Sequence, residues 1–99
     1  MIPTHRPPTH PGEVLLEEFL RPLDLTQVDV AAKLGISNNR LNEIVRGKRG
    51  ITADTALRLA KVLKTTPEFW MNLQAMYDLT KARRENGGKI QRDVRPCAA

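Results

Sequence analysis

Between Gln27 and Arg46 the chain reads Q-V-D-V-A-A-K-L-G-I-S-N-N-R-L-N-E-I-V-R, and no other stretch constrains the fold so tightly. Gly35 follows Leu34, the last apolar residue of a helical pattern, and supplies the positive φ at which a helix commonly stops. Ala31, four residues earlier, is small enough for a second helix to cross close over the first. Val30, Leu34, Leu41 and Ile44 are spaced to project into the angle between the two. Both helices carry start signals. Thr26 can cap the first, with Asp29 at its third position and Leu25 placed to staple onto Val30. Ser37 can cap the second, with Ile36 placed in the same way against Leu41. Any αα-hairpin can carry caps, but the joint spacing of Ala31, Gly35, Leu41 and Ile44 predicts two short helices crossing over a tight turn.

Such a helix-turn-helix unit lays its second helix in a DNA major groove. Around it the periodicity predicts an all-α, five-helix domain over residues 11–80. A first helix runs from Pro11, tolerated at the first helical position, to Leu20, with Val14, Leu15, Phe19 and Leu20 as its buried stripe and Pro22 beyond its end. Gly47-Lys48-Arg49-Gly50 makes a basic loop. A fourth helix, from Thr52 or Ala53 to Leu63, buries Ala56, Leu57, Leu59, Ala60 and Leu63. A fifth starts with Thr66 as cap and Pro67 behind it, and carries Phe69, Trp70, Leu73, Met76 and Tyr77 at helical spacing. Residues 1–10 hold three of the seven prolines and read as an extended lead-in. Residues 81–99, dense in charge and interrupted by Gly87-Gly88, read as a flexible basic tail.

Ninety-nine residues are enough for a single helical core and too few for two. No apolar run reaches the length of a membrane span, and the N-terminal residues lack the apolar core of a signal peptide, which predicts a cytoplasmic protein. The lone Cys97 fits a reducing compartment.

The net charge of +5 is unevenly placed. Glu13, Glu17, Glu18 and Asp24 against Arg21 leave residues 13–24 at −3. Lys33, Arg40, Arg46, Lys48 and Arg49 against Asp29 and Glu43 leave residues 26–49 at +3, and residues 80–99 carry +4. The basic excess thus falls on the two-helix unit and on the tail, a placement that suits phosphate attraction. For the tail alone, a solvated basic face is the competing explanation.

Enzyme chemistry finds no foothold. His5 and His10 lie in a proline-rich lead-in, Cys97 lies in the tail, and no spacing resembles a zinc set or a nucleophile beside its base. Glu17 and Glu18 are adjacent on a helix and point about 100° apart, so they cannot act as a close carboxylate pair. Gly87-Gly88 lacks the strand and helix that flank a phosphate loop. No catalytic residue, metal or cofactor is expected.

The second helix of the unit offers a reading face instead. Asn38 and Asn39 open it, with Asn42 and Glu43 one turn further on, and these four are the expected base contacts. An asparagine amide can pair bidentately with adenine; Glu43 can accept from cytosine, or can hold Arg46 or Asn39 in place. Local capping by Asn38 and a plain surface role for Asn42 are the alternatives. Phosphate contacts are expected from Gln27 and Ser37 at the two helix starts and from Arg40, Arg46, Lys48 and Arg49. One such helix reads only a few base pairs, so two copies about 34 Å apart are expected on double-stranded DNA. Trp70, Leu73, Met76 and Tyr77 of the fifth helix are the expected homodimer interface, with closure of the monomer core as the alternative, strongest for Trp70.

Seven short motifs occur in order: P-P-T-H-P-G-E-V-L (Pro7 to Leu15), P-L-D-L-T-Q (Pro22 to Gln27), L-G-I-S (Leu34 to Ser37), R-G-K-R-G-I-T (Arg46 to Thr52), A-L-R-L-A-K (Ala56 to Lys61), P-E-F-W-M-N-L-Q (Pro67 to Gln74) and Y-D-L (Tyr77 to Leu79). Over residues 7–79 the chain resembles the phage-repressor and Cro group, the Xre-type regulators, and within it the HigA-type, or VapI-like, antitoxins. That resemblance implies a lambda-repressor-like DNA-binding domain. It also implies a dual role: silencing a small HigB/RelE-like messenger-RNA endonuclease toxin, and repressing the shared operon by binding operator DNA as a dimer. A stand-alone Xre-family repressor without a toxin is the alternative, and a pure toxin-binding protein a further one, with the acidic first helix or the tail as its docking segment. Where the family commonly has Asn-Gly after the recognition helix, this chain has Arg46-Gly47.

Overall fold

A computed structural model describes residues 9–97, so nearly all of the expected lead-in, residues 1–10, lies outside the described residues. The elements are helices throughout: α1 (Pro11–Val14) running straight into a π-helical segment (Leu15–Leu20), then α2 (Gln27–Leu34), α3 (Asn38–Val45), α4 (Ala53–Leu63) and α5 (Pro67–Asp93). The all-α expectation of five helices holds, with α1 and its π-helical continuation as the first.

That continuation departs from the sequence reading of one regular helix. The Arg21 N–H bonds to the Leu16 carbonyl at 3.0 Å, five residues back. The wider ring turns less per residue and brings Leu15 and Leu20 toward one side, where both are fully buried. They join Val30, Ala31, Leu34, Leu41, Ile44, Ile51, Ala56, Leu59 and Trp70 in one core to which every helix contributes. The four residues expected between α2 and α3 are all in it.

Trp70 sits at the centre of the α5 contribution with none of its surface exposed. Its indole Nε1–H donates to Thr65 Oγ1 at 2.7 Å, which satisfies the one polar group such burial would otherwise orphan. Phe19 and Phe69 pack on the ring with centroids 5.3 and 5.0 Å away. Trp70 therefore belongs to the monomer core, which corrects its place in the expected dimer interface.

Two further expectations are corrected. Leu57 is 61% exposed. The face of α4 turned inward carries Thr55, Ala56, Leu59 and Ala60, and at about 100° per residue Leu57 falls some 130° from its centre. The chain beyond residue 80 is also not an irregular tail, because α5 continues to Asp93 through Gly87-Gly88. Lys, Ala, Arg and Glu, all good helix formers, fill positions 81–85, and Glu85 precedes Lys89 at the favourable four-residue spacing. Nearly every residue of this extension is exposed, and the described molecule is 54 Å long against 26 and 25 Å in the other directions.

Candidate nucleic-acid interface

The turn between α2 and α3 is built as its residues dictate. Gly35 takes φ 72°, and its N–H and that of Ile36 return to the carbonyls of Ala32 and Ala31 at 3.2 and 3.1 Å. Thr26 Oγ1 accepts from the Asp29 N–H at 3.1 Å and Ser37 Oγ from the Arg40 N–H at 3.0 Å, so both expected caps are made. A brace comes from a residue that local patterns do not signal. Arg58 of α4 donates through Nη1 to the Leu34 carbonyl at 2.8 Å and the Gly35 carbonyl at 3.4 Å, while its Nε holds Asp54 at 2.8 Å. The last carbonyls of α2 are thereby satisfied, and the angle between the two helices is tied to α4.

With Leu41 and Ile44 buried, geometry decides what α3 presents. At about 100° per residue, Asn38, Asn42, Arg46, Asn39 and Glu43 succeed one another across an arc of about 140° on the opposite side. Asn38, Asn39 and Arg46 are exposed; Asn42 and Glu43 are half-buried at the edges of contacts they make themselves. Arg46, the C-cap of α3, stands one turn beyond Asn42 on this same face.

Three side-chain pairs order that face. Asn42 Nδ2 donates to Gln27 Oε1 at 3.2 Å, joining the start of α2 to the middle of α3. The pairing leaves Asn42 its Oδ1 and a second N–H, which is what a bidentate adenine contact requires, and leaves the Gln27 Nε2 as a donor. Glu43 Oε1 accepts from Arg49 Nε at 3.1 Å and Nη2 at 2.8 Å. The partner of Glu43 is thus Arg49, and not Arg46 or Asn39. The pair is neutral as a unit and half-exposed, so its worth lies in where it holds the loop more than in stability. Arg40 turns inward. Its Nη2 donates to the buried Thr55 Oγ1 at 2.9 Å, and its Nε is buried with no protein partner. It lies on the flank of α3 toward α4, a placement that weakens the case for a free phosphate clamp.

The basic loop is held from behind. Gln74 of α5 accepts the Ile51 N–H on Oε1 at 2.7 Å and donates through Nε2 to Asp78 Oδ1 at 2.9 Å. Its amide packs on Gly50, where an added Cβ would stand 3.1 Å from Oε1 and the amide would have to shift. Lys48, Arg49 and Arg46 stay exposed in front of this anchor. The other end of the loop meets α1. His10 caps α1 through Nδ1, which accepts the Gly12 N–H at 2.9 Å, and its ring faces Tyr77 edge-on at 4.8 Å. Burial lowers the His10 pKa from its ordinary 6.5; Asp78 opposes that shift and Lys81 adds to it. Local patterns assign no role to Arg58, Gln74 and Gly12, because the contacts that matter here, to Leu34, Ile51 and Ile44, lie more than twenty residues away. No group of three or more His, Cys, Asp or Glu among the described residues is placed to hold a metal ion.

Comparison with known proteins agrees with the helix-turn-helix fold. A family model described as helix-turn-helix matches residues 16–70. The chain is 48% identical over 79 residues to virulence-associated protein I of Dichelobacter nodosus, an alignment covering 80% of this chain and 73% of that one. Among solved structures it is similar to an addiction module antidote protein of the HigA family from Coxiella burnetii, with TM-score 0.87 at 48% identity over 92% of this chain and 99% of that one. It is equally similar to the Pseudomonas aeruginosa antitoxin HigA, solved with the higBA promoter, with TM-score 0.88 at 43% identity and the same coverage. The chain belongs to the Xre-type helix-turn-helix family, in its HigA antitoxin branch.

Proposed function

We propose that this chain is a sequence-specific antitoxin that binds operator DNA as a homodimer, represses its own operon and neutralises a HigB/RelE-like messenger-RNA endonuclease. The observation that carries the DNA half is the polar arc of α3. Asn38, Asn39, Asn42 and Arg46 share one accessible face, between the capped helix start at Ser37 and the basic loop at Lys48. In this reading the asparagines contact base edges and Glu43 positions Arg49. Gln27, Ser37, Arg46, Lys48 and Arg49 contact phosphates, and Arg40 serves mainly to lock α3 to α4. The promoter-bound HigA of Pseudomonas aeruginosa supports the operator role. The toxin half rests on membership of the HigA branch.

Along α5, Leu73, Met76 and Tyr77 supply the dimer seam, with Met76 half-exposed and Leu79 also open. No helix among the described residues is long and apolar enough to cross a membrane, and we read the protein as cytoplasmic and non-enzymatic. Binding of the full chain to its own promoter fragment, by gel shift or fluorescence anisotropy, tests the operator role; no preference for that fragment over random DNA refutes it. Sedimentation showing a monomer at micromolar concentration refutes the dimer. Failure to rescue growth when co-expressed with the adjacent RelE-like gene, or the absence of such a gene, leaves a stand-alone repressor.

A further inference from the structure

The start of α1 is wedged against the end of the recognition helix. Gly12 packs so closely there that a Cβ would fall onto the Ile44 carbonyl oxygen. Beside it the half-buried His10 ring has three neighbours on three elements. Its Nδ1 accepts the Gly12 N–H of α1, and its edge meets Tyr77 of α5. Its Cγ lies 3.6 Å from where a Cβ would sit on Gly47, which holds φ 77° in the turn between Arg46 and Lys48. An open cleft of about 460 Å³ runs alongside, with Glu13, Glu17 and Arg46 in its walls. One imidazole thus fills the junction from which the two exposed cations, Arg46 and Lys48, project.

We propose that His10 is a positioning residue for DNA binding. It holds the Arg46–Gly47 turn in place only while its ring is neutral, so that acidification loosens the grip on the operator. The inference rests on the operator-binding reading above. Its physical basis is the direction of one hydrogen bond. An Nδ1 that accepts the Gly12 N–H carries no proton, which leaves the ring hydrogen on Nε2. A second proton turns Nδ1 into a donor facing a donor. The α1 cap is lost, and a cation is left half-buried against Tyr77 and Gly47.

The charged groups around the ring do not cancel this. Glu13 of α1 and Glu17 of the π-helical segment line the cleft with Arg46 at the end of α3, and α5 contributes Asp78, which favours the imidazolium, and Lys81, which opposes it. Burial outweighs Asp78, and the folded protein prefers the neutral ring. A group with a depressed folded pKa contributes fully above its ordinary value of 6.5 and loses that contribution as the pH falls through its folded value. Junction and operator grip are therefore strong at neutral pH and weaken on the acid side.

The test measures operator affinity of the full chain by fluorescence anisotropy on its own promoter fragment. The range runs from about pH 8 to about pH 5.5 at constant ionic strength, bracketing the ordinary imidazole value. His10→Asn keeps a strong cap acceptor that does not titrate. Wild type should lose affinity several-fold across this range. His10→Asn should match wild type at the alkaline end and stay flat, and His10→Ala should bind weakly throughout. A flat wild-type profile, or a His10→Asn profile falling in parallel with wild type, overturns the inference and leaves the operator reading intact. If wild type binds the promoter at no pH, the operator reading fails, and thermal unfolding then judges the latch. An acid-induced fall in Tm greater for wild type than for His10→Asn supports the latch, and equal falls overturn it.

Discussion

Replacing Gln74 with alanine should loosen the basic loop without removing any side chain proposed to reach DNA. Gln74 Oε1 accepts the Ile51 N–H at 2.7 Å, and Ile51 is only 3% exposed, so the substitution leaves a buried donor with no protein acceptor. Stranding such a group costs about 1–3 kcal/mol. The second bond of Gln74, from Nε2 to Asp78, is exposed and adds little. For a domain of about a hundred residues each kcal/mol moves Tm by roughly 4–8 °C, which places the expected fall at roughly 5–20 °C. Urea and thermal unfolding followed by circular dichroism measure the loss directly. Because the loop carries Lys48 and Arg49, operator affinity should fall together with stability. Gln74→Glu keeps an acceptor for Ile51 but sets a second carboxylate against Asp78, so it should recover only part of the stability. If Gln74→Ala unfolds within about 0.3 kcal/mol of wild type, the Ile51 N–H finds another acceptor and α5 does not hold the loop.

Gly12→Ala should destabilise the fold by about 3 kcal/mol or more, because the added methyl falls on backbone that cannot swing away; a variant with wild-type melting disproves the wedge. Asn39→Ala should cost about 1–3 kcal/mol on the specific site and relax one base position. Equal weakening on specific and random DNA would falsify its base-reading role. Lys48→Ala should weaken binding to all sequences alike and lower the slope of log affinity against log salt by about 0.9, and an unchanged slope removes it from the phosphate contacts.

The two-helix unit was legible because its determinants are local. A cap acts three residues ahead, a staple spans five, and Gly35 stops its own helix, so Thr26, Ser37 and Gly35 behave as their positions imply. The exposed arc of α3 was legible too, since burying Leu41 and Ile44 fixes the opposite face by helical period alone. The partners within that arc were not. Glu43 chose Arg49 because the loop folds back by a path no periodicity encodes, and Arg40 was drawn inward by a threonine fifteen residues on. The tail was misread for a different reason. Gly87-Gly88 is a real local penalty, but it is outweighed by the helix formers before it, a sum that a search for breaker residues does not perform.

The sequence by itself determined the helical class, the starts of α2 through α5, the stops of α2 through α4, the polar face of α3 and the basic loop beside it. These follow from φ preference, capping and a 3.6-residue period, all of which act within one or two turns. Only the tertiary structure decided that Trp70 fills the core and is not spent on an interface. Only it showed that Arg58 and Gln74 brace the turn and the loop from behind, and that Gly12 and His10 seat α1 against the end of the recognition helix. Each of those contacts joins residues far apart in the chain, where close packing selects partners that no local rule ranks.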